Sequence, residues 1–178
     1  GKDRSGRFLR KIRTTQLSPE ISISHQEVVL SNDAPVSSDA TLAFKVAATA
    51  AQVGLPLSLD TCLRLGESAP QISTPWPRVA RENFISLIGG GHSMIAVWEA
   101  YEQEGIITSW FPEWETVSSL PQRNVLHRHT VDRHMVETVL HASALTRMVH
   151  RPDLLLFAAL FHDIGKGSQE DHSERGAR

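Results

Sequence analysis

Eight consecutive apolar residues, Leu154–Phe161, run directly into His162–Asp163. Pro152 at the first helical position and Asp153 in the first turn mark a helix start. The run therefore predicts a helix that is apolar on nearly every side and should be buried. A buried helix ending in an imidazole and a carboxylate must satisfy both groups. The tail Ile164–Gly165–Lys166–Gly167 comes next. Gly165 is expected to take the left-handed conformation that ends the helix. Lys166, just beyond it, is placed to reach a phosphate oxygen.

A second helix is expected upstream. Thr130 suits its N-cap and Asp132 its first turn. Val131, Met135, Val139, Ala142 and Leu145 then fall on one side, with His134 in the second turn. His141 lies seven residues on, more than two turns or ~10 Å of rise, too far to share one ion with His134. It reads as structural. A turn at His150–Arg151 makes the two helices a hairpin, which brings His134 and His162 toward the same end. At ~1.5 Å per residue His134 lies ~24 Å before the turn and His162 ~15 Å after it. Either the first helix ends early or the two cross at an angle. His134, His162 and Asp163 are the candidate ligands of a divalent cation, which would lower the pKa of a bound water. The spacing permits a shared ion without forcing one, since a His–Asp pair also serves as a cap or hydrogen-bonding arrangement. His172, in Asp171–His172–Ser173, is a candidate second-metal or substrate ligand, and equally a loop histidine or helix cap. His127 and His129 precede the helix and read as its hydrogen-bonded neighbours.

The rest of the chain reads as a helical array. Residues 1–13 carry six basic side chains against Asp3. With no period and no interleaved aromatics, they read as a solvated connector, not a phosphate-binding arm. Alternation and β-branching over residues 21–31 predict a small β-hairpin. Helices are expected from Ser37–Ser38–Asp39 to Gly54, from Ser58 or Asp60 to near Gly66, from Pro75–Trp76–Pro77 to Gly89, and from a Ser93 cap to Gly105. Short loops between them suit antiparallel neighbours. Residues 106–123 read as a loop-rich bridge whose Trp110, Phe111 and Trp114 pack the array onto the next domain. Gly91–His92–Ser93 with Glu102 and Glu104 faintly resembles a nucleotidyltransferase signature. The carboxylates, however, fall on an amphipathic helix and not on strands, so they read as a solvated face.

At 178 residues, one or two domains are expected. A net charge of −2 gives no reason to expect nucleic acid or an anionic membrane as partner. Cys62 stands alone, which excludes an internal disulfide and fits a reducing cytoplasm. No apolar run approaches the ~20 residues of a membrane helix. The abrupt ends suggest part of a longer protein.

Three phrases carry a family resemblance: Thr130–Val131–Asp132–Arg133–His134, Leu160–Phe161–His162–Asp163–Ile164–Gly165–Lys166–Gly167 and Asp171–His172–Ser173. They resemble the HD superfamily of metal-dependent phosphohydrolases, and within it the bifunctional PII uridylyltransferase/uridylyl-removing enzymes. Phe111–Pro112–Glu113–Trp114 is similar to that family too. The resemblance implies a mainly α fold: a connector with the hairpin over 1–38, a helical linker over 39–120 and a truncated all-α HD domain over 121–178. It implies His134, His162 and Asp163 as ligands of Mg²⁺ or Mn²⁺, with Asp163 and Lys166 as catalytic residues. Mixed His/carboxylate ligation suits Mn²⁺, Fe²⁺ or Zn²⁺ better than Ca²⁺. A closing Asp would come from a later helix beyond Arg178, and an aromatic residue would be expected where His129 stands. The implied activity is hydrolytic removal of UMP or AMP from PII, with PII and the parent's remaining domains as partners. Its rivals are an HD hydrolase of free nucleotides and a non-catalytic helical module docking PII. Transferase and glutamine-sensing segments are not expected here.

Overall fold

The computed structural model describes residues 14–118 and 130–167. The basic arm, His127, His129 and His172 lie outside the described residues. The expected hairpin forms, as β2 (Ile21–Ser24) and β3 (Glu27–Leu30), and β1 (Thr15–Gln16) adds an antiparallel third strand in the order β1-β2-β3. His25 and Gln26 form the two-residue connection at φ 53° and 65°, the left-handed pair whose twist matches a hairpin. Strand β3 does not present a bare edge. Val28 N donates to Pro56 O at 2.8 Å, and Ser58 N to Val28 O at 3.0 Å.

Helix α1 (Leu42–Val53) is the centre of the molecule. Ala43, Ala47, Ala48, Ala50 and Ala51 are buried, and their small size lets neighbours approach. Asp39 Oδ1 accepts from Thr41 N at 2.8 Å at its start, and Gly54 closes it at φ 70°. Helix α3 (Arg78–Ile88) packs along α1 so closely that a Cβ on Gly90 would lie 2.8 Å from Ala51 Cβ. Tyr101 of α4 (His92–Gln103) donates to Ala43 O at 2.8 Å.

Several boundaries differ from expectation. Helix α2 (Leu59–Ser68) is capped by Ser58, whose Oγ accepts from Thr61 N, but it runs past Gly66. There the missing side chain admits the Glu104 backbone, and Pro70 holds Ala69 extended to end the helix. Gly91, not Ser93, precedes α4, because its φ of 63° supplies the sharp entry. The expected loop-rich bridge is largely helical over its described part, with α5 (Ile106–Trp110) and the 3₁₀ turn Pro112–Thr116. Its aromatics do pack inward: Trp110 stacks on Phe44 at 3.9 Å, and Trp114 meets Trp98 edge-on at 5.1 Å. Glu102 accepts from Trp114 Nε1 at 2.8 Å and from Ser118 Oγ, so it is a structural acceptor and not a solvated carboxylate.

One apolar cluster extends from Ile21 and Leu30 through the array to Val139 and Leu160. Burial pushes the Cys62 thiol up to about 11, leaving it protonated at neutral pH. Among the described residues, no helix is long and apolar enough to cross a membrane. Gly90→Ala should lower stability by about 1–3 kcal/mol, the usual cost of overpacking. A thermal melt unchanged by the substitution would show that α1 and α3 are less tightly apposed than described.

Candidate metal centre

The site begins with two helix ends brought to one level. Helix α6 (Val131–Ser143) buries Val131, Met135, Val136, Val139 and Ala142. Leu145, expected on that face, lies beyond the helix end and is exposed. His141 is exposed in the last turn. The 3₁₀ turn Thr146–Met148 comes next, and α7 (Pro152–Phe161) returns antiparallel. This resolves the register, because the first helix ends early. His134 stands nine residues before the end of α6 and His162 ten after the start of α7, about 14 and 15 Å along the two axes.

Helix α7 is not buried all round. Leu156, Ala159 and Leu160 are buried, while Leu154 is 54% exposed. The array and α6 cover one side, and Leu154 lies on the more exposed one. Packing sets where the helix ends. Phe161 meets Phe111 at 4.9 Å and Phe157 meets Phe84 at 5.7 Å. Gly165 is not left-handed. It sits in the 3₁₀ turn Ile164–Gly167, where Lys166 N bonds Asp163 O at 3.0 Å, so the chain continues its right-handed course.

His162 and Asp163 fall just past the last residue of α7. His162 Nδ1 lies 2.9 Å from Ala159 O. That carbonyl can only accept, so Nδ1 carries the proton and Nε2 offers its lone pair to the site. His162 Nε2 lies 3.3 Å from His134 Nε2 and 3.3 Å from Asp163 Oδ2, with His134 Nε2 3.8 Å from the same oxygen. Asp163 is buried at 8% exposure. Three donor atoms thus lie within 4.8 Å of one another. Ligands about 2.0–2.2 Å from one ion stand roughly 2.8–3.6 Å apart in octahedral or tetrahedral geometry. The observed spacing is close to that, and two imidazoles with one carboxylate form a donor set suited to Mn²⁺, Fe²⁺ or Zn²⁺.

Two partners were not anticipated from the sequence. Lys166 Nζ sits 2.6 Å from Asp163 Oδ2 and does not point outward. Arg133, next to His134, bridges Glu137 of its own helix at 3.0 Å and Glu99 of α4. The i,i+4 spacing of Arg133 and Glu137 was visible in the sequence, whereas the link to Glu99 needed the fold.

The HD domain family matches residues 131–178, a span containing all three donors. The bifunctional uridylyltransferase/uridylyl-removing enzyme of Streptomyces coelicolor is 51% identical over 150 residues, 84% of this chain and 18% of that protein. Its namesake in Mycobacterium tuberculosis is 45% identical over 151 residues, 85% of this chain and 19% of the relative. Over most of its length the chain is similar to bifunctional uridylyltransferase/uridylyl-removing enzymes. A third relative of that name, from Corynebacterium glutamicum, is 33% identical over 174 residues, 98% of this chain and 25% of its own length. The chain therefore spans about a fifth to a quarter of the length of these three relatives. No solved structure matches it.

Replacing His162 and Asp163 together by Ala should abolish saturable Mn²⁺ binding while leaving the helical circular dichroism intact. Retained binding in that variant would place the ion elsewhere.

Proposed function

We propose that this chain is the linker and first part of the HD domain of an enzyme that hydrolyses a nucleotidyl group from PII. The convergence of His134, His162 and Asp163 within 4.8 Å at the paired ends of α6 and α7 carries this reading. The family relationship supports the substrate class. The division into 1–38, 39–120 and 121–178, a cytoplasmic location and the choice of Mn²⁺ or Mg²⁺ belong to the same proposal.

A divalent ion held by these residues would supply a water ionised near neutral pH and a Lewis acid for a phosphoryl oxygen. The chain's own groups prepare the place for it. Ala159 O fixes the tautomer of His162, so its Nε2 stays a donor to the ion. Asp163 contributes negative charge from a buried position. Lys166 contributes the one cationic side chain that the described site residues direct at Asp163, a charge suited to an anionic phosphoryl group. The bond broken would be the phosphodiester between the nucleotide and a tyrosine of PII, releasing UMP or AMP and the free hydroxyl.

His162→Ala, placed in the intact parent enzyme, should reduce release of the nucleotide from modified PII by about 100-fold or more, since losing even a partner behind a metal ligand costs about 10- to 100-fold. It should leave attachment of the nucleotide unchanged. Normal release in that variant would sink the assignment. Turnover of free nucleotides instead of modified PII would redirect it to a nucleotide hydrolase.

A further inference from the structure

Lys166 sits on the Asp163 oxygen that lies closest to the two histidines. Its Nζ lies 2.6 Å from Asp163 Oδ2, the same atom that lies 3.3 Å from His162 Nε2 and 3.8 Å from His134 Nε2. The backbone turn favours this placement. The 3.0 Å bond from Lys166 N to Asp163 O folds the chain back by one turn, which lays the lysine stem over the carboxylate three residues before it. A dication bonded to both imidazoles and to Oδ2 would bring two units of positive charge beside a third. Asp163 is buried, so solvent screens that repulsion only in part. The side chain of Lys166 is 31% exposed, and its four-carbon stem turns easily. It therefore has an open side to move toward.

We propose that Lys166 is a built-in competitor of the metal. It neutralises Asp163 before a dication binds and is expelled from Oδ2 when one does. Loading the ion and releasing the lysine are then a single event. The freed ammonium becomes available to an anionic phosphoryl group only at a site that already holds its metal. Such coupling would keep a site lacking its metal from retaining a phosphorylated ligand unproductively. Lys166 is in this respect a positioning residue whose first partner is the carboxylate. The inference rests on the reading of His134, His162 and Asp163 as metal ligands.

The test is a Mn²⁺ titration of the 178-residue chain, monitored by the paramagnetic resonance signal of free Mn²⁺. Wild type is compared with Lys166→Gln and Lys166→Met, each checked for native circular dichroism. Removing the competing charge should tighten Mn²⁺ binding at least tenfold in both variants. If wild type binds and the variants bind equally or more weakly, the lysine orders the carboxylate for the metal and the competitor proposal fails alone. Absence of binding in all three proteins would overturn it together with the metal reading. Should one variant not fold, the other decides by the same criterion.

Discussion

The position at which α7 ends is held by aromatic packing, and the site depends on it. Phe44 of α1 stacks on Trp110, Phe84 of α3 meets Phe157 of α7, and Phe111 after α5 meets Phe161. Phe157 and Phe161 lie one turn apart on one face, with nearly parallel rings 6.2 Å apart. Large rings contribute much buried area and prefer a few geometries, so α7 has little freedom to slide. Phe161 is the residue before His162. Axial slip of α7 would carry His162 and Asp163 away from His134. The helical array thus acts as the wall against which α7, the helix leading into His162 and Asp163, is seated.

Helix α6 is held by different means. Its apolar face meets α7 and the array, and Arg133 ties its first turns to α4 through Glu99. That pair is substantially exposed and contributes little to stability. Its effect is on rotation about the helix axis, because Arg133 directly precedes His134. The two histidines then approach to 3.3 Å between Nε2 atoms. With the lone pair of His162 Nε2 facing it, that contact calls for a proton on His134 Nε2 or a cation between the rings, and the neighbouring carboxylate draws positive charge to the same place. Burial of Asp163 strengthens this preference, since a carboxylate removed from water needs opposite charge close by. Lys166 meets part of the need, and a dication would meet it more fully.

Local patterns in the sequence announced most of the elements and the three side chains that the structure brings together. Alternation in Ile21–Ser24 and Glu27–Leu30 marked the strands, glycines marked helix ends, and His162–Asp163 at the end of an apolar run marked the site. Non-local contacts carried what was missed. Gly66 lies inside α2 because the Glu104 backbone approaches it, a contact that no window around residue 66 contains. The all-apolar Leu154–Phe161 segment suggested burial on every side, yet composition does not say how many neighbours a helix has. Residues 106–116 looked like a loop because Pro112 and several aromatics interrupt the period, although short helical turns tolerate both. The register of His134 against His162 was ambiguous only because the early end of α6 at Ser143 leaves little trace in the sequence.

The central claim is that one ion is shared by His134, His162 and Asp163. Anomalous diffraction at the manganese edge, from crystals of this chain grown with Mn²⁺, would test it most directly. The account predicts a single strong peak about 2.0–2.3 Å from His134 Nε2, His162 Nε2 and an Asp163 carboxylate oxygen, with Lys166 Nζ no longer on that oxygen. A peak elsewhere, or ordered density with Lys166 still on Asp163 and no anomalous signal between the histidines at millimolar Mn²⁺, would contradict it.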